Sequence, residues 1–474
     1  MRILLINPPN LDPISSVLPS ALEEERGHNP PLGLLYIAGY LKEKGRNYDV
    51  RIIDGPTENL NYSQLKKKIK EFNPDIVGMT TMSFTIIDAL EAAKTAKTVN
   101  SRIRVIFGGP HVHIFSKETL ELGNSDFIIL GEGEKTFYQL IENIDNEERL
   151  KEIPGLIFYD KEHNLVQTGP PQLIENLDEL PFPARELIDN KKYFSLLGTS
   201  NLVTTMITSR GCPYRCLFCD RPHLGKKFRA RSPKNVVDEM EECAKKFGIK
   251  EFLIYDDTFT VDRQRVVDIC QEINKRKLDI VWDIRARVDT IDEDLLTIMK
   301  KAGCERIHYG VESGTQKILD ILRKGITLEQ VEKAFKLTKK AGIQTLGYFM
   351  IGNPTETKED VLKTIKFAKK INPDYVHITI TMPFPATDLY FLALQKGIIK
   401  KDVWLEFAKN PSLDFVPPIW KENLTKEELH DLIKKAYKEF YFRPTYLFKR
   451  ILSLRSFGEL KRKAKAGLSL LKIK

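Results

Sequence analysis

The chain has 474 residues, 42% of them apolar, a length that calls for more than one domain and a composition that fits globular folding. No run of about 18 uncharged apolar residues occurs, so no spanning helix is expected, and the opening MRILLINPPN does not read as an export signal. The formal charge of +9 is concentrated at one end: Tyr441 to Lys474 carries ten Lys or Arg against one acid, Glu459, which leaves the first 440 residues neutral overall.

In the N-terminal third, short β-branched runs alternate with amphipathic helical runs. The predicted strands are Arg2–Pro8, Val50–Asp54, Ile76–Thr80, Val105–Gly108 and Phe127–Leu130, and the predicted helices include Leu34–Lys44, Tyr62–Phe72 and Ile86–Val99. Five strands with crossover helices predict a doubly wound parallel sheet, flavodoxin-like, over residues 1–145. Its strands run into Thr80-Thr81-Met82-Ser83, Gly108-Gly109-Pro110-His111 and Gly131-Glu132-Gly133-Glu134. Such turns lie at the carboxyl edge, where open parallel sheets bind ligands. The two acids of the last turn would repel a phosphate. The competing reading of the domain is a flavodoxin-like unit that binds another nucleotide or nothing.

Residues 146–201 lose the alternation and carry Pro154, Pro170, Pro171, Pro181 and Pro183, as expected of a linker with a small hairpin. A second alternation follows over 202–385. Its strand candidates are Val203–Ser209, Glu251–Tyr255, Ile280–Arg285, Arg306–Val311, Gln344–Met350 and Tyr375–Thr381. Helical runs at Lys234–Phe247, Arg263–Lys275, Glu293–Ala302, Leu328–Ala341 and Lys358–Lys370 separate them. Six consecutive βα units predict a partial (β/α)6 barrel with its site at the strand carboxyl ends. Residues 386–474 form a helical C-terminal region ending in the basic tail.

Six cysteines are present, none in the first 211 residues. Cys212, Cys216 and Cys219 give the spacing C-x3-C-x2-C directly after the first barrel strand, a tight cluster that favours a reducing cytosol and a metal site over a disulfide framework. Thiolates suit iron–sulfur clusters, and three of them leave one iron of a cubane open to a chelating substrate. The competing reading is zinc, with His223 four residues beyond Cys219 as a fourth ligand. Cys243, Cys270 and Cys304 read as packing residues, the first two within helices and the third at a helix end.

From Asn201 to Pro385 the sequence resembles the radical S-adenosylmethionine (SAM) superfamily. The cysteine spacing and the aromatic Phe218 carry the likeness, together with Tyr255-Asp256-Asp257-Thr258-Phe259, Arg285-Ala286-Arg287, Gly310-Val311-Glu312-Ser313-Gly314 and Gly352-Asn353-Pro354-Thr355-Glu356. The resemblance implies a [4Fe–4S] cluster on the three cysteines, SAM contacts at Phe218, Arg287, Glu312 and Gly352, and reductive cleavage of SAM to a 5′-deoxyadenosyl radical. An α/β unit ahead of that barrel, with Gly108-Gly109-Pro110-His111 and Pro31-Leu32-Gly33-Leu34, resembles the cobalamin-binding branch. That branch implies cobalamin at Thr80, Ser83, Gly108, Gly109, Gly131 and Gly133. The Asp-x-His-x-x-Gly motif that supplies a lower cobalt ligand elsewhere is absent. A methylthiotransferase arrangement is disfavoured, because it needs three cluster cysteines in the N-terminal domain.

Methylation of an unactivated carbon is the expected reaction, with radical cyclisation or rearrangement as the alternative and a non-catalytic iron–sulfur protein as the reading from another class. An electron donor such as ferredoxin or flavodoxin is the expected partner. The basic tail, interleaved with Tyr446, Phe448, Ile451, Leu454, Phe457 and other apolar residues, is expected either to pack on the barrel or to touch an anionic membrane surface. Membrane contact would suit a cytoplasmic protein, peripheral at the inner membrane face, with a hydrophobic or lipid substrate. Nucleic acid is the disfavoured partner.

Overall fold

The computed structural model describes residues 1–14, 27–45, 47–195, 197–198, 200, 202–219 and 225–452. Inside the first sheet, one strand in from its edge, lies β1 (Arg2–Asn7), whose Ile3, Leu4, Leu5 and Ile6 are all buried. A strand apolar on both faces belongs within a parallel sheet covered by helices on each side. Parallel pairing gives the order β2 (Asp49–Asp54), β1, β3 (Ile76–Thr80), β4 (Arg104–Gly108), β5 (Phe127–Ile129). This order puts the topological switch point between β1 and β3, where a crevice opens at the carboxyl edge. Helices α1 (Leu32–Glu43), α2 (Tyr62–Phe72), α3 (Ile86–Val99) and α4 (Gly133–Glu142) cover the faces.

The sheet is larger than the five strands expected. The hairpin of the proline-rich linker, β6 (Leu156–Tyr159) and β7 (Leu165–Gln167), pairs antiparallel on β5 and extends the sheet to seven strands among the described residues. Leu156, Ile157 and Phe158 are buried by this docking, which is what draws the hairpin onto the sheet edge.

The second sheet runs β8 (Val203–Met206), β9 (Glu251–Ile254), β10 (Val281–Ala286), β11 (Cys304–Glu312), β12 (Gln344–Ile351) and β13 (Tyr375–Ile380), in sequence order and parallel throughout. Helices α5 (Pro233–Phe247), α6 (Arg263–Lys275), α7 (Glu293–Lys301), α8 (Leu328–Lys340) and α9 (Lys358–Ile371) form its outer layer. Their amphipathic spacing packs them on the sheet; α5, for example, buries Val236, Val237, Met240 and Cys243 along one stripe. Cys304 opens β11 and is fully buried, not at a helix end as expected.

The first barrel strand also stops earlier than predicted, at Met206. Beyond it, Thr208 donates to Asp256 from both its backbone N and its Oγ1, and Ser209 Oγ donates to the same carboxylate, each at 2.6 Å. These bonds replace the strand ladder and turn the chain out of the sheet. Ser209–Arg210 then pairs antiparallel with Arg229–Ala230, a two-residue ribbon that closes the base of the cysteine loop.

After the barrel, α10 (Asp388–Gln395) and α11 (Val403–Lys409) pack back toward the N-terminal domain, and α12 (Lys426–Tyr441) lies on β13. There the Tyr437 hydroxyl bonds the backbone N and O of Ile378 (3.0 and 3.1 Å), and the Tyr441 hydroxyl does the same for Val376 (3.0 and 2.9 Å). The basic tail beyond Leu452 and the competing ligand His223 lie outside the described residues.

Candidate cluster and cofactor site

The cysteine loop begins at Gly211, whose φ of +83° and whose closeness to Lys227 O, 2.2 Å from where a Cβ would stand, leave room only for glycine. Cys212 Sγ lies 3.9 Å from Thr258 Oγ1, beyond the end of β9. Leu217 is stitched on two sides, its N donating to Leu322 O and its O accepting from Leu389 N, both at 2.9 Å. Cys212 and Cys216 are half-buried and Cys219 is exposed. Among the described residues no three Cys, His, Asp or Glu side chains converge as a ready-made metal site, so the thiols share the loop without meeting at one point. Burial pushes the Cys216 thiol up, while the charges of Lys324 and Arg287 oppose that rise.

Phe218, Arg287 and Glu312 gather around this loop. Glu312 ends β11 at a register shift and adopts φ of +69°, an uncommon backbone for a residue with a side chain. It accepts a 2.8 Å hydrogen bond from Lys324 Nζ, and both side chains are below 10% exposed. Lys324 stands 5.9 Å over the Phe218 ring, and Arg287 stacks 3.8 Å over Tyr214 while chelating Asp289. Burial pulls the Lys324 ammonium down, but Glu312 and Cys216 outweigh it and its pKa is raised, so it stays charged. Lys324 escaped the sequence reading, because a basic pair before Gly325 looks like any solvated helix end. The only local hint was Gly310, where the ion pair fills the space a side chain would take.

Gly352 does not join this group through its closest packing. It sits against α12, with Leu429 Cδ2 2.8 Å from where a Cβ would be. Its turn is locked by Asn353, which donates from N and Nδ2 to Glu356 Oε2 (2.9 and 3.1 Å) and accepts from Thr381 Oγ1 (2.7 Å). Burial pushes Glu356 up to about 7, and its Oε1 has no partner.

The residues expected at the N-terminal sheet edge lie at the carboxyl ends of β3, β4 and β5. Thr80 ends β3, and Ser83 Oγ is 3.0 Å from Nδ1 of the buried His111, whose pKa burial lowers to about 3. Gly108 ends β4, and a Cβ on Gly109 (φ +107°) would meet Thr81 O at 2.7 Å. Gly131 turns with φ of +70° and Gly133 opens α4. The acids between and after them do not present charge to a ligand as expected. Glu132 and Glu134 are buried in ion pairs with Arg210 and Arg229 from the base of the cysteine loop.

One apolar cluster spans the two halves: Ile86 and Phe115 from the N-terminal domain, Leu217 and the partly buried Phe218 from the cysteine loop, and Leu389 and Trp404 from the C-terminal helices. The carboxyl edges of both sheets therefore face one another. Three soft donors flanked by cations suit an iron–sulfur cluster, and a glycine-lined edge with its acids neutralised suits a large cofactor.

Known proteins resemble the chain in sequence and in fold. The profile of the radical SAM superfamily matches residues 206–368, and that of the B12 binding domain matches residues 22–141. A protein of Pyrococcus horikoshii named as an uncharacterized methyltransferase is 38% identical over 461 residues, covering 96% of each chain. The anaerobic magnesium-protoporphyrin IX monomethyl ester cyclase of Rubrivivax gelatinosus is 32% identical over 454 residues, covering 94% of this chain and 78% of that one. The solved cobalamin-dependent S-adenosylmethionine radical enzyme OxsB shares the fold, with a TM-score of 0.76 at 19% identity over 99% of this chain and 72% of that chain.

Proposed function

The chain belongs to the cobalamin-binding radical SAM enzymes, and from that premise we propose that it methylates an unactivated carbon of a hydrophobic substrate. When bound, the [4Fe–4S] cluster supplies the electron for reductive SAM cleavage and cobalamin supplies a methyl carrier. In this reading Cys212, Cys216 and Cys219 hold the cluster. Phe218, Arg287, Glu312 and Gly352, with Lys324 added, orient SAM, and Thr80, Ser83, Gly108, Gly109, Gly131 and Gly133 line the cobalamin edge. The domains in this reading are 1–145 for cobalamin, 146–201 as a linker whose hairpin joins the first sheet, 202–385 for the radical barrel and 386–474 as the C-terminal region.

The observation that carries the reading is the meeting of the two carboxyl edges, with the cysteine loop packed between N-terminal and C-terminal side chains. A hydrophobic substrate is supported by aromatic residues at that junction: Phe384 lies 5.9 Å from Phe84 and stacks on Trp404 at 6.3 Å, while Met82 and Phe384 keep 49% and 39% of their surface exposed. Anaerobic incubation of the reconstituted protein with SAM and reductant tests the reaction. Methyl transfer requires both 5′-deoxyadenosine and S-adenosylhomocysteine; deoxyadenosine alone refutes it. Radical cyclisation, supported by the likeness to the cyclase of Rubrivivax gelatinosus, also gives deoxyadenosine without S-adenosylhomocysteine, and a product two hydrogens lighter than its substrate identifies it.

An electron donor of the ferredoxin or flavodoxin kind and peripheral contact at the inner membrane face belong to the same proposal. No helix among the described residues is long and apolar enough to cross a membrane. The segment Pro444–Leu452, which begins the basic tail, exposes Leu447 and Phe448, and cosedimentation with anionic vesicles checks the contact.

A further inference from the structure

Two carboxylates on the glycine-lined edge of the first sheet grip the root of the cysteine loop in the second. Glu132 stands between Gly131 and Gly133. Its Oε1 meets Arg229 Nη2 at 2.8 Å and Arg210 Nη1 at 3.1 Å, and its Oε2 accepts from Arg229 Nη1 at 3.0 Å and from Ile174 N at 2.6 Å. Glu134 Oε1 accepts from Arg210 Nη2 at 2.5 Å. Arg210 lies two residues before Cys212, and Arg229 is its partner across the ribbon that closes the loop.

All four side chains are buried. Burial raises the Glu132 carboxyl, but the hydrogen bond from Arg229 and the charge of Arg210 outweigh it and hold its pKa below the ordinary value, so the pairing is ionic. Guanidinium–carboxylate pairs of this kind fix direction as well as distance, and in dry surroundings they do not slide. One carboxylate therefore clasps both ends of the cysteine loop, and any shift of the Gly131–Gly133 turn moves both ends together.

We propose that Glu132, supported by Glu134, is a positioning residue that couples occupancy of the glycine-lined edge to ordering of the cysteine loop, so that the loop is set for its cluster when the cobalamin side is filled. This rests on the cofactor placement proposed above. A ligand seated against Gly131 and Gly133 presses on the turn that carries Glu132, and the arginine fork relays its position across the domain junction.

Hydrogen exchange by mass spectrometry, on the full chain with and without hydroxocobalamin, tests the coupling. In the wild type, cobalamin slows amide exchange over residues 211–219. Glu132→Gln loses that response while still binding cobalamin by absorbance titration. If the single variant does not fold, the double variant Glu132→Gln with Arg229→Gln removes the charge from both partners and gives the same loss. A merely structural Glu132 predicts faster exchange with the cobalamin response intact; that result, or a wild type that binds cobalamin with no change in the loop, overturns the proposal. Failure of the wild type to bind cobalamin at all instead defeats the parent assignment.

Discussion

Cys212, Cys216 and Cys219 stand on a half-buried to exposed loop, whereas Cys243, Cys270 and Cys304 are each at most 1% exposed within the barrel core. Burial pushes the Cys243 and Cys270 thiols up to about 12 and Cys304 well above the ordinary range. A thiol must lose its proton before it binds metal or attacks, so the core three are inert near neutral pH. Cys216 is also raised by burial, yet Lys324 and Arg287 face it. Arg185 and Arg231 oppose burial at Cys243 too and still leave its thiol at about 12, so the contrast teaches that cations count where burial is partial, as on the cysteine loop, and not in the sealed core.

The strongest way to break this contrast is to remove a loop thiol. Cys212→Ala, Cys216→Ala or Cys219→Ala should abolish both cluster absorbance and 5′-deoxyadenosine formation, while Cys243→Ala keeps both. Next in size, Lys324→Met strands Glu312 as a buried, unpaired carboxylate. It should lower stability by about 3–5 kcal/mol in urea titration and slow alkylation of Cys216 in the cluster-free protein, with Lys324→Arg restoring part of each.

The same contrast holds between carboxylates, since Glu312 has Lys324 and Glu356 has no cation among its contacts. Burial sets Glu356 at about 7 in the folded chain against 4.5 for the free group. Between those values the folded protein keeps a proton that the unfolded chain has released, so stability falls as pH rises through that window, by roughly 3 kcal/mol in total. Glu356→Gln should flatten this slope, as read from melting temperature across pH 4 to about 8. The smallest effect is expected at Cys243→Ala, which vacates a sulfur-sized space in the core and should cost about 1 kcal/mol in the same urea titration.

Much of the architecture was legible because its signals are local. Helices α2, α3 and α6 begin and end where periodicity and turn residues put them, and Asn61 and Asp262 cap two of them as short polar side chains do. The cysteine spacing was equally local. What escaped reading depends on partners far away in the chain. The linker hairpin carries the apolar run of a strand but no sign that β5 is its neighbour. Glu132 read as a repulsive acid because Arg210 and Arg229, some 80 to 100 positions on, are invisible from its own turn. Lys324 lies only 12 positions from Glu312, yet escaped as well, since the register shift that ends β11 is what brings the two together.

The paired hydroxyls of Tyr437 and Tyr441 have a consequence beyond the barrel itself. A six-stranded barrel is open, and β13 would show a row of unpaired peptide groups, the kind of edge on which other chains add strands and grow into aggregates. The two tyrosines occupy the backbone groups of Val376 and Ile378 with side chains that cannot pass the pairing on to another strand. Until α12 has been made and has docked, the backbone groups of Val376 and Ile378 are open to pairing with another strand. The same helix that finishes the fold therefore also covers the part of the β13 edge that its tyrosines reach.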